Sequence, residues 1–343
     1  MTKKNSENEN QIKNSQAPDI LLRIHNLSLS VKEKGVDLPI LKGIDMEIPC
    51  GSIVGLVGES GCGKSMTAKT INGLLPDSAQ VTGGEILWYG NASSPADLTK
   101  LKDSELKNYR GRDITMVFQE PMTSLNPLMR VGDQVREVLM LHHLSKSKEE
   151  AKDLTVRMLG EVGLSDPEHL YKAWPHELSG GMRQRVVIAM AGISSPKLLI
   201  ADEPTTALDV TTEAQILKLI KNMCETSAMS VLLITHNMRV IAQICDYVYV
   251  MYMGRIVEAA PTKRLLYQAA HPYTRGLLSS IPKIGENKGY LNAIPGENAE
   301  IKKTAAGCEF CLRCSDDIRE CFFEKPDFYE VEDGHFSRCH VRV

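Results

Sequence analysis

No uninterrupted apolar run in this chain approaches the roughly 20 residues that a membrane-spanning helix requires. Stretches such as Val186-Val187-Ile188-Ala189-Met190-Ala191 stop far short, so the chain is not expected to cross a bilayer alone. A basic stripe is also missing. The net charge is −3 and the pI about 6.3, which argues against broad nucleic-acid binding. Residues 1–18 are polar, rich in Asn, Lys, Glu and Ser, and lack the apolar centre of a signal peptide, so they read as a disordered leader. No internal repeat of about 20–50 residues is visible. Phe, Tyr and Trp are absent between positions 20 and 50. What is present is a chain of 343 residues, 43% hydrophobic and 24% charged, which can bury a sizeable core in one large domain plus an appendage.

Within it one turn stands out, Gly58-Glu59-Ser60-Gly61-Cys62-Gly63-Lys64-Ser65. It follows the apolar run Ile53-Val54-Gly55-Leu56-Val57 and precedes Met66-Thr67-Ala68-Lys69-Thr70-Ile71. A buried strand therefore hands over to a helix there, the setting a phosphate-binding loop requires. The glycines let several N–H groups and the helix N-terminus converge on one anion. Lys64 would reach the β- and γ-phosphates of a nucleoside triphosphate, and Ser65 would offer its hydroxyl to Mg²⁺.

The surrounding pattern is that of an α/β protein. Residues 21–31 alternate apolar with polar, and a turn-rich interval at 34–37 leads to a second such strand near 44–48; the two read as an antiparallel edge. Further strands are expected at 83–90, 113–118, 197–203 and 230–235, with a hairpin of 247–251 and 255–257 turning at Gly254. Helical periodicity fills 131–144, 148–162 and 182–193, an all-helical insert (about 120–195) dividing the core, and returns at 211–228. The alternation implies a mostly parallel sheet with helices on both faces.

Two carboxylates close the strand Leu198-Leu199-Ile200-Ala201. Asp202, at the carboxyl end where open α/β sheets bind ligands, is placed to share the Mg²⁺ with Ser65. Glu203 is then the candidate for polarising the attacking water. Gln119 follows the 113–118 strand and is placed to contact the metal or the water, and His236, directly after a strand, to read the γ-phosphate. A second anion cradle opens a helix at Leu178-Ser179-Gly180-Gly181-Met182. Two half-sites for one ligand invite a head-to-tail pair, with Ser179 of one subunit meeting the γ-phosphate held by the other.

The run Gly58 to Ser65, Gln119, Leu178 to Gln184, Leu198 to Glu203, Ala207-Leu208-Asp209 and His236 resembles the nucleotide-binding subunit of ATP-binding cassette (ABC) transporters over about residues 20–283. That resemblance implies a P-loop ABC cassette spanning 19–283 that binds and hydrolyses ATP with Mg²⁺. It implies that Asp209 joins two subunits beside the active site, and that the Gln119 loop docks a coupling helix of the membrane subunits. Val117-Phe118-Gln119-Glu120-Pro121-Met122-Thr123-Ser124-Leu125-Asn126-Pro127 and His271-Pro272-Tyr273-Thr274-Arg275-Gly276-Leu277-Leu278 look like the oligopeptide/dipeptide/nickel importer branch. The implied setting is peripheral, on the cytoplasmic face of the membrane. The implied partners are two membrane-spanning permease subunits, a second copy or a homologous ATPase subunit, and, indirectly, an extracytoplasmic solute-binding protein. Nickel or another metal chelate is the alternative cargo to peptides. A soluble ABC-type ATPase acting on nucleic acid or ribosomes is a rival reading; the single cassette and the lack of a basic arm stand against it, and no nucleic-acid partner is expected. One departure is visible: many ABC ATPases stack adenine on an aromatic at the position near Val31, where this chain has none.

Past Ile281-Pro282 the periodicity fades into an irregular extension, 284–343. Five of the nine cysteines crowd there: Cys308, Cys311, Cys314, Cys321 and Cys339. Soft thiolates in this number suit a four-iron, four-sulfur (4Fe–4S) cluster or Zn²⁺, with disulfides or free thiols as the remaining reading, and spacing alone does not choose. The similar importer subunits carry a tail of form Cys-x5-Cys-x6-Cys-x17-Cys associated with an iron–sulfur cluster. Cys308, Cys314, Cys321 and Cys339 match it, and Cys311 is extra.

Overall fold

The computed structural model describes residues 19–90, 94–119, 124–206, 208–280, 294 and 306–341. The expected leader, positions 120–123 beyond Gln119, residue 207 and most of the expected boundary after 280 lie outside the described residues. The strands are β1 (Ile20–Glu33), β2 (Val36–Pro49), β3 (Ile53–Val57), β4 (Ala79–Trp88), β5 (Ala96–Asp97), β6 (Ile114–Val117), β7 (Leu198–Asp202), β8 (Ser230–Thr235), β9 (Tyr247–Tyr252), β10 (Arg255–Pro261), β11 (Tyr329–Glu332) and β12 (His335–Ser337). The helices are α1 (Lys64–Ile71), α2 (Asp103–Leu106), α3 (Val131–Leu141), α4 (Lys148–Glu161), α5 (Pro167–Tyr171), α6 (Gly180–Gly192), α7 (Val210–Ser227), α8 (Met238–Ile244), α9 (Thr262–Gln268), α10 (Pro272–Ser279) and α11 (Glu320–Phe323).

An eight-stranded sheet in the order β11-β12-β10-β9-β3-β8-β7-β6 carries the fold. Its centre, β9-β3-β8-β7-β6, is parallel. Parallel strands covered on both faces need continuous apolar sequence, and every residue of β3, β7 and β8 is buried. Side chains alternate between the two faces. Ile53, Val57, Leu199, Ala201, Val231 and Leu233 join the helical insert and α7 and α8 in one core, while Val54, Leu56, Leu198, Ile200, Leu232 and Ile234 join a second core on the other side.

That second core differs from the expectation of helices on both faces. Its cover is a separate antiparallel sheet, β2-β1-β4-β5, with α1 beside it. The reason lies in strand length: β1 and β2 each run 14 residues with alternating burial, long enough to lie across the parallel sheet instead of extending its edge.

The insert occupies the crossover between the adjacent parallel strands β6 and β7 and consists of α3 to α6. Helices α4 to α6 start where side chains satisfy the first amides: Ser147 accepts from Glu150 N–H, Asp166 from His169 N–H and Ser179 from Met182 N–H. Helices α5 and α8, of 5 and 7 residues, are too short for periodicity to reveal.

The C-terminal region is drawn into the main sheet through β12, which pairs with β10, and β11, which pairs with β12. The anchor is Glu258, wholly buried, whose Oε1 lies 2.7 Å from His335 Nε2 and whose carboxylate accepts from Ala270 and His271 N–H. A buried carboxylate is tolerated only with such partners.

Candidate nucleotide site

The loop after β3 has the shape that its glycines dictate. A Cβ at Gly58 would stand 2.1 Å from Met251 O, and Gly61 and Gly63 adopt φ of +78° and +114°, so side chains are excluded on steric and conformational grounds. Helix α1 begins directly after Gly63 with no side-chain cap, which leaves its first amides available to an anion. Lys64, 5% exposed, is curled onto its own loop, its Nζ donating to Gly58 O at 2.7 Å and Glu59 O at 2.9 Å. Cys62 lies 3.8 Å from that ammonium, and burial pushes its thiol up against the opposing pull of Lys64. An anion in the loop would offer Lys64 full negative charge in place of two neutral carbonyls.

At the end of β7, Asp202 is 3% exposed. Burial raises its carboxyl pKa, opposed by a hydrogen bond from the Ser65 hydroxyl, and its Oδ1 has no hydrogen-bond partner among the described residues. An orphaned, buried carboxylate oxygen beside a serine hydroxyl is a donor set of the hard, oxygen-only kind that suits Mg²⁺.

Glu203 follows with φ +50°, the left-handed region that a non-glycine residue rarely occupies. Its N–H is fixed to Ile234 O at 2.9 Å. Its Oε1 lies 2.9 Å from His236 Nδ1, and its Oε2 accepts from Gln119 Nε2 at 3.2 Å and Thr206 Oγ1 at 2.9 Å. Burial works to raise the Glu203 carboxyl, but the bonds from His236 and Thr206 prevail and hold it below the usual carboxylate range. The strands that end at 117, 202 and 235 thus bring Gln119, Glu203 and His236 to one point. Thr206 was not among the expected site residues. Its only signal in the sequence is its place on the turn after Glu203, where Thr206 N–H returns to Glu203 O at 3.2 Å.

Ser179 caps α6 and is exposed, as is Gly180. Asp209 caps α7, accepting from the amides of Thr211 and Thr212 and from Thr212 Oγ1 at 2.7 Å. A Cβ at Gly181 would meet Thr212 Cγ2 at 2.8 Å. The Ser-Gly-Gly turn and the Asp209 cap are therefore neighbours and form one solvent-facing edge, next to Val210, which is 76% exposed.

Residues 41–206 match the ABC transporter family, and residues 257–321 match the oligopeptide/dipeptide transporter C-terminal region. The dipeptide transport ATP-binding protein DppD of Bacillus subtilis is 44% identical over 320 residues, covering 93% of this chain and 94% of that protein. The oligopeptide transport ATP-binding protein OppD of the same organism is 44% identical over 322 residues, covering 93% and 88%. The chain belongs to the ATP-binding proteins of the oligopeptide/dipeptide ABC transporter family. As an ABC ATPase it has solved counterparts: a dimeric ATP-binding cassette, MJ0796, in a post-hydrolysis state with ADP and Pi, has a TM-score of 0.62 at 27% identity, covering 70% of this chain and 98% of that one. CbiO1 of Clostridium perfringens, part of the transporter complex cbiONQ, has a TM-score of 0.61 at 28% identity, covering 73% and 92%.

In this ABC ATPase no helix among the described residues is long and apolar enough to cross a membrane. The cysteine-rich region keeps its thiols free. Cys308, Cys311, Cys314 and Cys339 each lie close enough to Cys321 for their thiols to interact electrostatically with it, and Cys308 N–H donates to Cys321 O at 2.8 Å. Burial pushes the thiols of Cys308 and Cys314 up to about 12 and about 11. Among the described residues no three His, Cys, Asp or Glu side chains are arranged to hold a single metal ion.

Proposed function

We propose that this chain is the MgATP-hydrolysing subunit that energises import of di- and oligopeptides across the cytoplasmic membrane. The observation that carries the reading is Glu203, held ionised by His236 and Thr206 and hydrogen-bonded by Gln119, next to Asp202, whose Oδ1 has no partner among the described residues, at the mouth of the Gly58–Ser65 loop. The peptide cargo is supported by relatives that carry dipeptide and oligopeptide transport in their names.

In this reading Lys64 leaves the carbonyls of Gly58 and Glu59 for the β- and γ-phosphates, while the amides of residues 60–66, Met66 included, cradle the triphosphate. Ser65 and Asp202 would hold Mg²⁺, with Gln119 beside them, and the bound ion would supply charge neutralisation to the transferring phosphoryl group. Glu203 accepts a hydrogen bond from the attacking water and aims it in line with the γ-phosphorus. The new P–O bond forms as the bridge to ADP breaks, giving ADP and phosphate. His236 keeps the Glu203 carboxylate turned toward that water and faces the γ-phosphate. Closing the pocket falls to the exposed edge of a second copy or homologous subunit: Ser179, Gly180 and Gly181 complete the cradle, and Asp209 lies at the joint.

The partners are two permease subunits that hold the chain at the cytoplasmic face, with a solute-binding protein outside. For the cysteine-rich region we propose a 4Fe–4S cluster on Cys308, Cys314, Cys321 and Cys339. The grouping of Cys308, Cys314 and Cys339 with Cys321, four soft donors in all, supports it. A single zinc on the same thiolates is the alternative reading. Its part is to staple a region poor in apolar residues.

The test is to isolate the complex from membranes, identify its companions and measure ATP turnover with added ligands. Two permeases and stimulation by peptides are expected. Stimulation by a nickel chelate alone, or by nucleic acid without permeases, would overturn the cargo assignment.

A further inference from the structure

The C-terminal region reaches into the back of the phosphate loop. Arg313, in the short 3-10 turn Cys311–Arg313, donates from Nη1 to Glu59 Oε2 at 2.8 Å and from Nη2 to Glu59 Oε1 at 2.9 Å. The pair spans 254 positions of sequence. The Arg313 side chain is 5% exposed and lies over the Tyr252 ring, 5.8 Å from its centroid. Phe310 seats the same turn against Tyr252 and Tyr273, with ring centroids 5.3 and 5.4 Å apart. Glu59 is thereby gripped at three points: its N–H donates to Tyr273 Oη at 2.8 Å, its carbonyl accepts from Lys64 Nζ, and its carboxylate takes the Arg313 fork.

A second contact runs alongside. Glu309 accepts from Arg255 Nε at 2.8 Å, and the neighbouring Gly254 N–H donates to Cys62 O in the loop at 2.8 Å.

Glu59 is an odd residue to find in an anion cradle. Its carboxylate repels a triphosphate, and so near a half-buried site water screens that repulsion poorly. A bidentate guanidinium cancels the charge and fixes the carboxylate's direction, which a lysine does less well. We propose that Arg313 is a positioning residue for the ATP site: by neutralising and orienting Glu59 it sets the affinity of the phosphate loop for the triphosphate, and so makes the cysteine-flanked turn a working part of the ATPase. The proposal rests on Gly58–Ser65 being the triphosphate cradle, which wild-type MgATP binding and its loss in K64A test separately.

The experiment titrates MgATP into the full-length chain as wild type, R313M, R313K, E59Q and R313M/E59Q. Met keeps an unbranched stem over Tyr252 and removes the charge. R313M is expected to bind about tenfold more weakly, the equivalent of about 1.4 kcal/mol, and R313K to fall in between. R313M/E59Q is expected to recover most of the loss, since the repelling charge is gone. In the assembled transporter the R313M change should appear in KM for ATP, with kcat within about twofold of wild type. Melting curves without nucleotide read the structural role apart from binding. An R313M chain that melts earlier yet binds MgATP like wild type would overturn the proposal, as would a double variant that binds as weakly as R313M. If R313M does not fold, R313K decides alone: weakened binding supports the proposal and wild-type binding overturns it.

Discussion

Glu203 Oε1 lies 2.9 Å from His236 Nδ1, across the ends of two adjacent parallel strands. Each end is an exit from a buried strand, so the distance between the two side chains is set by the sheet and not by loop conformation. The bond keeps the carboxylate ionised and leaves His236 half open to solvent, its side chain 55% exposed.

Replacing Glu203 by Gln removes the proton acceptor and keeps the shape. ATP turnover should fall by about two to four orders of magnitude, while nucleotide titration returns near wild-type affinity and the ATP-bound pair becomes longer-lived. Phosphate release together with the titration checks this; normal turnover would remove Glu203 from the chemistry.

Replacing Lys64 by Ala acts earlier, on binding. The lost charge-assisted contact corresponds to a drop in MgATP affinity of about 10- to 100-fold. Fluorescence titration of a labelled nucleotide measures it. A K64A chain with unchanged affinity would contradict the placement of the triphosphate.

Acid stability has a specific source in His271. It caps α10, its Nδ1 accepting from Tyr273 N–H at 3.1 Å, and burial lowers its pKa from 6.5 to about 4, with Glu258 opposing and Arg275 adding to the shift. The folded chain therefore binds fewer protons than the unfolded chain between these values. The stability due to the neutral ring is complete above about pH 6.5 and declines as pH falls toward 4, by up to about 1.4 kcal/mol per pH unit. H271N retains a cap acceptor and cannot titrate, so its urea midpoints should fall less steeply from pH 6.5 to 4.5. Parallel slopes for the two proteins would show that His271 is not the source.

For the cysteine region, anaerobically purified chain should contain iron and acid-labile sulfide in equal amounts. C321S should lose both and melt at lower temperature, whereas C311S should keep both. Zinc without sulfide in the wild type would replace the cluster by a single-ion site.

Much of the site was legible because its residues sit at strand ends. Asp202, Glu203, Gln119 and His236 each follow a short apolar run, Lys64 follows the glycine-rich loop after another, and a parallel sheet brings such ends together whatever lies between them. The antiparallel cover was only half legible. Alternation marked β1, but β2 contains Pro39 and Gly43, which broke the pattern that the 14-residue strand nevertheless carries. Thr206, Tyr273 and Arg313 left no periodic trace. Arg313 and Tyr273 reach the loop from 254 and 214 positions away, and local pattern carries no information about such pairings.

The split pocket has one direct test. Vanadate, a stand-in for the transferring phosphoryl group, cuts backbone beside it under ultraviolet light when trapped with MgADP. In the isolated transporter the expected cuts in this chain fall in two places, within residues 58–65 and at Ser179. Cutting confined to residues 58–65, with Ser179 intact in the trapped complex, would contradict a pocket completed by the neighbouring subunit.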